Sequence, residues 1–375
     1  MDGWLALSDL VRPTAVDGVG VDAGVAAHYG NPFAEQRLLA AGEAVVDLSH
    51  RAVLSISGAD RLTWINSLTS QSVTGLKPGQ SSETLLLDAT GRLEYAVRLL
   101  DDGVDLWLLL EREEAPGLFA WLSKMVFMLR VEVRDRTAEL ATIGTLGTPQ
   151  IPVASPNAVA LVWNDPWSAV SPGGWQYATV EHHPAEEWTY SEVLIPRAEL
   201  AGLDLPLAGF LALEALRIAA WRPRLATEGD EKTIPHELDW LRSAVHLTKG
   251  CYRGQETVAK VHNLGHPPRR LVMLHLDGSD SVLPSPGDEV LLGEKTVGHV
   301  TSAARHFELG PIALAIIKRT SDPLAILAVQ SEGILVPAAQ EIVVPPEAGA
   351  AANVPRLPRL GAVTRSGSSA EDGRG

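Results

Sequence analysis

The chain has 375 residues, of which 46% are hydrophobic, 21% are charged and 5% are aromatic, so it is long enough for several packed units and is not globally disordered, collagenous or a coiled coil. A formal net charge of -15 argues against direct binding to nucleic acid. A single cysteine, Cys251, excludes an internal disulfide and a four-thiolate metal site.

The beginning of the chain, Met1-Asp2-Gly3-Trp4, lacks the charged and apolar regions of a signal peptide. No apolar stretch approaches the length of a membrane span. We therefore predict a soluble, cytoplasmic protein without a membrane partner.

The regular pattern begins with two short apolar strands, at 44–48 and 53–56. From Asp60 the apolar residues Leu62, Ile65 and Leu68 recur at helical spacing. This pattern predicts a helix whose free amides the Asp60 side chain can cap.

An antiparallel meander is predicted next, with strands at 84–87, 93–100 and 104–110 separated by Asp-Gly turns. A helix around 118–128 and an alternating strand at 131–133 follow. The segment up to about residue 136 is therefore expected to be a mixed α+β unit with helices beside an antiparallel sheet.

The pattern weakens between 149 and 196, where repeated prolines leave only short strands such as 158–163. The clearest helix of the chain is predicted at 207–221, opened by Pro206 and ended before Pro223.

Short strands with regular turns then predict a small β-barrel that begins after Pro267-Pro268. The segment from 347 to 375 is rich in Ala, Gly, Pro and Ser and is predicted to be a disordered tail. The predicted barrel strands are 271–276, 290–292, 297–300, 312–317 and 325–329.

The most unusual segment lies between the long helix and the barrel and reads Lys249-Gly250-Cys251-Tyr252-Arg253-Gly254-Gln255-Glu256. Gly250 and Gly254 permit positive φ or close approach of a ligand to the backbone. Lys249 and Arg253 surround Cys251 with positive charge, which favours the nucleophilic thiolate. The alternative is a buried cysteine that serves only as a small hydrophobic residue.

Two weaker candidates lie nearby. His262 and His266 are four residues apart, but Gly265 breaks the helix that would bring them together, so no metal site is predicted. Arg269 and Arg270, with Arg253, Lys260 and His262, form either a basic patch for an anionic ligand or a solvated basic face. The acidic residues Glu94, Glu214, Glu228 and Asp230 show no spacing that indicates acid–base chemistry.

The eight residues 249–256 resemble the characteristic motif of the YgfZ family, folate-binding proteins related to the glycine cleavage T-protein and to a mitochondrial iron–sulfur assembly factor. The similarity extends from about residue 44 to 318. The other strings that carry it are Asp47-Leu48-Ser49, Gly58-Ala59-Asp60-Arg61, Leu68-Thr69-Ser70-Gln71 and Leu87-Asp88-Ala89-Thr90-Gly91.

The resemblance implies an α+β, three-lobed T-protein-like fold in which a ferredoxin-like lobe, an α/β lobe and a C-terminal β-barrel surround a central folate channel. The expected division is a discontinuous folate-binding lobe at 1–52 plus 137–266, an inserted α+β lobe at 53–136, the barrel at 267–346 and the tail at 347–375.

The resemblance also implies tetrahydrofolate as the ligand and a role in assembling or repairing iron–sulfur clusters, with an indirect effect on tRNA thiomodification. Its partners would be iron–sulfur enzymes or cluster-assembly proteins. Cys251 and Lys249 are then the reactive residues, and Gly250, Tyr252, Arg253, Gly254, Gln255 and Glu256 complete the motif. One thiol can hold a cluster only transiently, if at all.

Two departures argue against aminomethyl transfer. T-proteins carry an aspartate after the glycine matched by Gly91, where this chain reads Arg92-Leu93-Glu94-Tyr95. They also carry a folate-holding glutamate where this chain reads Arg217-Ile218-Ala219-Ala220. Glu94, Tyr95 and Arg217 are therefore the candidate cofactor-binding residues. The alternatives are a folate-dependent aminomethyltransferase and a partner-docking module without chemistry.

Overall fold

The computed structural model describes residues 15–148, 151–279 and 281–352. Within these ranges the strands form an N-terminal hairpin, two five-stranded sheets and a closed barrel. The hairpin and first helix are β1 (Val16–Asp17), β2 (Ala26–His28) and α1 (Pro32–Ala40). The side chain of Asn31 starts α1 by accepting the amide of Ala34.

The first sheet joins segments that are far apart in sequence. Its strands, in spatial order, are β10 (Val162–Asn164), β11 (Ser191–Pro196), β9 (Leu140–Thr145), β3 (Val45–Asp47) and β12 (Leu207–Ala208). Neighbours are antiparallel except for β12, which runs parallel to β3. The strand predicted at 44–48 is confirmed with shorter bounds, whereas only the last two residues of the one predicted at 158–163 belong to a strand, β10.

The helix predicted at 207–221 is shorter than expected. Helix α4 spans Phe210–Ala219, because Leu207 and Ala208 pair with β3 instead and Gly209 has extended backbone. The apolar stripe had merged a strand residue with the helix that follows it.

The second sheet contains the predicted meander. Its strands, in spatial order, are β5 (Ser81–Leu87), β6 (Leu93–Asp101), β7 (Asp105–Leu110), β4 (Ala52–Ser57) and β8 (Glu132–Asp135), all antiparallel to their neighbours. The meander and its helices are confirmed, since α2 (Arg61–Leu68) and α3 (Ala115–Met125) lie on this sheet.

Two local predictions in this unit were wrong. Asp60 precedes α2, but its side chain makes no capping bond and instead binds Arg130 at 2.7 Å. The helix predicted at 118–128 begins earlier, with Pro116 in its first turn, and ends before Met128, whose φ is 56°.

The barrel closes in the order β13 (Arg269–Leu276), β16 (Gly310–Lys318), β15 (Lys295–His306), β14 (Glu289–Leu292), β17 (Leu327–Ser331) and β18 (Ile334–Ile342). The five predicted strands are confirmed. The sequence pattern missed β18, which contains Pro337 and alternates between buried and exposed residues.

The remaining helices are α5 (Leu225–Glu228), α6 (Leu241–Ala244) and α7 (Gln255–Leu264). The chain returns to α7 after the barrel, because Ala351 and Ala352 donate to the carbonyls of His262 and Asn263. Residues 347–352 of the predicted tail are therefore held against α7 by these bonds, and Ala348 is buried at 4% exposed. The rest of that tail, 353–375, lies outside the described residues.

We use the terms first lobe for 15–52 plus 137–266, second lobe for 53–136 and barrel for 267–346. One sheet lies essentially in each of these ranges. A single apolar cluster takes side chains from all three, for example Leu194, Trp107 and Leu314. Separate clusters fill the outer face of the second lobe and the barrel interior. The three units thus meet on one common core.

Among the described helices, none is both long and apolar enough to cross a bilayer.

Candidate functional site

A cavity opens at the centre of the molecule, between the inner face of the second-lobe sheet, the first-lobe sheet and α4. The space free of protein atoms there is about 570 Å³ when open solvent is counted, and the centres of water-sized molecules can occupy about 60 Å³ of it. Its lining comprises Arg51, Glu83, Ala96, Arg98, Glu111, Glu114, Trp163, Asp165, Trp188, Tyr190, Glu192, Leu213, Glu214, Arg217, Arg222, Pro223, Arg224, Leu225 and Trp240.

Buried ion pairs link the two lobes across this cavity. Glu111 follows β7 and accepts from Arg224 at 2.8 and 3.1 Å and from Arg98 at 3.3 Å. Burial opposes the ionisation of Glu111, yet the guanidiniums of Arg224, Arg51 and Arg98 hold its pKa well below the ordinary value. Glu111 is therefore a fixed negative charge.

Glu192 on β11 is fully buried and uses its two oxygens unequally. One oxygen accepts from Arg51, from Arg98 at 2.5 Å and from the hydroxyl of Tyr190 at 3.0 Å. The other, Oε2, is buried without a hydrogen-bond partner among the described residues. A buried acceptor of this kind is costly unless a ligand or solvent satisfies it.

A second set of contacts in the cavity lining involves Arg222 and Trp188. Arg222 donates to Asp165 at 2.9 Å and to Glu83 at 2.5 Å, and the indole of Trp188 donates to Asp165 at 2.9 Å. The indole nitrogen of Trp240, by contrast, is a buried donor without a partner in the described part of the chain.

Glu114 is the carboxyl group of the cavity that no guanidinium neutralises by a hydrogen bond. Its Oε2 is buried and has no partner within the described ranges. Burial, with the charge of Glu111 beside it, raises the pKa of Glu114 to about 8. Glu114 is therefore mainly protonated at neutral pH, so its carboxyl group can act as a hydrogen-bond donor.

The free polar groups of the cavity are of the kinds with which a reduced pterin would pair. A pterin presents flat faces, a donor edge and a carbonyl oxygen. Aromatic side chains line the cavity, with Trp188 stacked on Tyr190 at 5.1 Å between ring centroids. Glu192 Oε2 supplies a free acceptor and Trp240 Nε1 a free donor.

The predicted cofactor residues separate into two places. Arg217 lines the cavity, where it binds Glu214 at 2.7 and 2.8 Å and Glu228 at 2.9 Å. Tyr95 lies on the face of β6 that packs against the second-lobe core, away from the cavity. Glu94 is outside the cavity and pairs with Arg253. Glu214 lines the cavity, but both of its oxygens are engaged.

The motif residues form a loop and the start of α7 on the surface of the first lobe, against the second. Cys251 is exposed. The ammonium of Lys249 donates to the carbonyls of Asn66, Thr69 and Gln71 at 2.6–2.7 Å. Since Arg253 binds Glu94 at 2.7 Å, both predicted cations use their donors on oxygen atoms rather than on the thiol.

The other motif residues have mainly structural contacts. Tyr252 is 8% exposed and its ring lies 5.3 Å from the Lys249 ammonium. Gln255 donates to the Lys249 carbonyl at 3.1 Å, and Glu256 is exposed in the first turn of α7. An acidic residue at this position suits the positive end of a helix.

The two motif glycines differ. Gly254 has a φ of +83°, and a Cβ atom there would lie 2.6 Å from the Asp88 carbonyl oxygen and 3.0 Å from Gly91. Gly250 lacks a positive φ, and no atom would lie within 4 Å of a Cβ on it. The positive φ allowed for both glycines is therefore found at Gly254, where the protein's own turn approaches, and not at Gly250.

The predicted basic patch is dispersed. Arg269 pairs with Asp230 and Glu237, and Arg270 is fully buried in the barrel. His262 is buried on α7 beside the Tyr177 hydroxyl, 3.0 Å away. These side chains share no face that could hold one anion.

Sequence reasoning missed most of the cavity, including Glu192, Glu111, Arg98, Arg222 and Arg224. The available signal was a charge inside an apolar strand: Glu192 precedes Val193-Leu194-Ile195, and Arg98 stands before Leu99-Leu100. A charge at an inward-facing strand position indicates a buried polar network.

Comparison with known proteins agrees with this geometry. Residues 269–346 match the family model of the glycine cleavage T-protein C-terminal barrel domain. The tRNA-modifying protein YgfZ of Yersinia pestis is 26% identical over 293 residues, covering 73% of this chain and 85% of that protein. A chloroplastic protein of Arabidopsis thaliana named as a transferase is 26% identical over 298 residues, which cover 72% of this chain and 65% of the plant protein, less than two thirds of it.

The crystal structure of the glycine cleavage system aminomethyltransferase T from Bartonella henselae has a similar fold. The TM-score is 0.67 over 87% of this chain and 92% of that chain, at 17% sequence identity. The three-lobed T-protein-like fold with a C-terminal barrel and the resemblance to the YgfZ family are thus confirmed.

Proposed function

We propose that this protein, which resembles the YgfZ family in sequence and the glycine cleavage T-protein in fold, binds tetrahydrofolate and supports the assembly or repair of iron–sulfur clusters. The observation that supports the folate part is a set of buried polar atoms on cavity-lining residues that have no partner in the described part of the chain, among them Glu192 Oε2 and Trp240 Nε1. The motif around Cys251 carries the cluster part. The effect on tRNA thiomodification is then indirect, in keeping with a net charge of -15.

The cavity residues have distinct roles in this proposal. Glu192 accepts the donor edge of the pterin, Trp240 donates to its carbonyl, and protonated Glu114 adds a second donor. The arginine–carboxylate pairs hold these groups in place without consuming their free atoms. Bound tetrahydrofolate would supply a carrier for one-carbon units.

The folate proposal is tested by calorimetric titration of tetrahydrofolate into the full chain. Trp240→Phe keeps an aromatic ring, smaller than the indole, and removes the donor; we expect roughly 2- to 10-fold weaker binding from the lost hydrogen bond, and the Trp221 control accounts for the lost ring volume. Trp221→Phe is the matched control, because Trp221 also has an unpartnered buried indole nitrogen but does not line the cavity.

Glu192→Gln is expected to weaken tetrahydrofolate binding by about tenfold or more, because it removes a charged acceptor. Its circular dichroism spectrum must match that of the wild type. No binding to the wild-type chain, or equal affinity of wild type and Trp240→Phe, would reject the folate proposal.

Cys251 is the proposed reactive group toward partners, which are iron–sulfur enzymes or cluster-assembly proteins in the cytoplasm. It is exposed, so a partner can reach it directly. A lone thiol can ligate a cluster only together with other ligands, or can exchange with a partner thiol.

Cys251→Ala is expected to leave the melting temperature unchanged and to abolish restoration of a cluster-dependent enzyme in cells that lack the protein. Immunoblotting controls for protein level. Full restoration by this variant would reject the role of the thiol.

At the turn where T-proteins carry their aspartate, the described carboxylates of this chain are already hydrogen-bonded, which argues against aminomethyl transfer. One oxygen of Asp88 accepts the amides of Thr90 and Arg92, and Glu94 pairs with Arg253. Formation of methylenetetrahydrofolate from tetrahydrofolate and an aminomethyl donor would nevertheless establish that alternative over the one proposed.

A further inference from the structure

Two separate strings of the sequence meet at a seam between the lobes. Ser70 Oγ donates to the Ala244 carbonyl at 2.6 Å, and the Ser70 carbonyl accepts the amide of His246 at 3.0 Å. Gln71 Nε2 donates to the Ser243 carbonyl at 2.9 Å. Residues 69–71 of the second lobe are therefore hydrogen-bonded along the segment that leads into the Cys251 loop, which we define as residues 249–254.

The Lys249 ammonium completes this seam. Its three donors reach the carbonyls of Asn66, Thr69 and Gln71 at 2.7, 2.6 and 2.7 Å. These carbonyls lie at and beyond the C-terminal end of α2, where the helix dipole favours a cation. Because an ammonium has three donors, Lys249 has none left for a substrate.

The far end of the Cys251 loop is held by shape. Gly254, with its positive φ, packs against the Asp88 carbonyl and Gly91, and Thr257 fits against Gly91 in turn. Leu93 donates to the Thr233 carbonyl beside this contact. The second lobe thus fixes both ends of a loop whose middle, Cys251, is exposed.

We propose that Lys249 is a positioning residue: its ammonium ties the Cys251 loop to the end of α2 and so holds the thiol in the position from which it meets a partner. This assignment rests on the proposed role of Cys251 and replaces the expectation that Lys249 is itself reactive. To act as a general base or nucleophile, Lys249 would have to lose a proton, and with it at least one of its three carbonyl hydrogen bonds; burial lowers its pKa to about 8, so the ammonium is the main form at neutral pH.

The experiment measures amide hydrogen exchange over 249–254 in the full chain. Lys249→Met keeps the length of the side chain without the ammonium, and we expect exchange to become roughly tenfold faster or more, since hydrogen bonds to charged groups are lost. Lys260→Met, an exposed lysine of α7, is the matched control and leaves exchange unchanged. Lys249→Arg keeps the positive charge but replaces the compact ammonium with a planar guanidinium, so we expect a smaller increase in the exchange rate.

Chemical rescue separates positioning from a general loss of folding. In Lys249→Ala, n-propylammonium replaces the missing group and is expected to slow exchange in the loop again, whereas tetramethylammonium, which has no N–H donor, does not. Unchanged exchange in Lys249→Met, or equal effects of the two ammonium ions, would overturn the clamp.

The cell assay then distinguishes this inference from the proposed function. We expect Lys249→Met to lose restoration of the cluster-dependent enzyme. Fast loop exchange together with full restoration would show that the clamp does not position the thiol, which rejects the inference. Full restoration by Cys251→Ala rejects the proposed function instead, whatever the exchange rates show.

Discussion

Among the described residues, the carboxyl group of Glu114 lacks the hydrogen bonds to arginine that its neighbouring carboxylates make. Glu111 takes hydrogen bonds from Arg98 and Arg224, while Glu114 Oε2 is buried without a partner in the described part of the chain. Burial and the Glu111 charge raise the pKa of Glu114 from 4.5 to about 8. The folded state therefore binds a proton that the unfolded state releases between these two values.

This proton makes stability depend on pH. Because the folded-state pKa is raised, stability is greatest below the unfolded pKa and falls as the pH rises from about 4.5 to 8. Glu114→Gln removes the titration, so its advantage over wild type should grow to the order of 4 kcal/mol at pH 8. Urea unfolding at pH 5, 6.5 and 8 measures this, with exposed Glu132→Gln as control. If the unfolding free energies of wild type and Glu114→Gln changed with pH in parallel, the raised pKa of Glu114 would be contradicted.

Single residues also show the limit of the sequence. Cys251 and its motif could be located because the string is specific, and Arg217, a predicted cofactor residue, lines the central cavity. Glu192 could not, since its role depends on strands β9 and β11 pairing across a long separation, which places its carboxylate beside Arg51 and Arg98.

At the scale of elements, the turn before β6 and the N-terminus of α7 interlock through two glycines. A Cβ on Gly254 would lie 2.6 Å from the Asp88 carbonyl oxygen, and one on Gly91 would lie 2.7 Å from Thr257 Cβ. Both glycines have positive φ, at +83° and +82°. The contact allows the first and second lobes to approach with backbone against backbone.

Gly254→Ala should therefore lower the free energy of unfolding by about 1–3 kcal/mol, from backbone strain and displacement of the turn. Gly250→Ala is the matched control, because that position is open and does not require positive φ. Urea denaturation of both variants provides the measurement. Equal stability would contradict the interlock.

Element boundaries could be predicted where one period dominated, as in the β5–β6–β7 meander. They failed where two elements shared an apolar run: Leu207 and Ala208 belong to β12 although they continue the stripe of α4. The sequence did not predict strand β18, because its proline and its exposed residues obscure the strand pattern. In the structure, closure of the barrel supplies its neighbouring strands, β13 and β17.

At the scale of the whole molecule, the lobes share a core and a charge network. Arg224 of the first lobe binds Glu111 of the second lobe and Asp22 of the N-terminal segment. Arg217 reaches Ser302 of the barrel at 2.8 Å. Unfolding one unit alone would leave buried charges of another unpaired, so the molecule should unfold as one cooperative system.

Arg224→Met should cost about 3–5 kcal/mol at pH 7, because it leaves buried carboxylates with fewer partners. The pKa of Glu111 is lowered in the folded state, so this contribution is present above about pH 4.5 and is lost as the pH falls further. The difference from wild type should then shrink at pH 3.5. Arg134→Met, in an exposed pair, should leave the melting temperature unchanged. A pH-independent difference would contradict the electrostatic origin.

After the barrel the chain returns to α7, so the segment from α7 to residue 352 forms a loop that is closed by hydrogen bonds. One arm is the covalent link from α7 to β13, and the other is the pair of hydrogen bonds from Ala351 and Ala352 to His262 and Asn263. Closing such a loop reduces the conformational freedom of every segment within it. An affinity tag joined directly at residue 346 would remove the residues that bond to α7, the helix that begins beside Cys251, and the loop would no longer be closed. Assays of the Cys251 thiol should therefore use a chain that extends beyond residue 352.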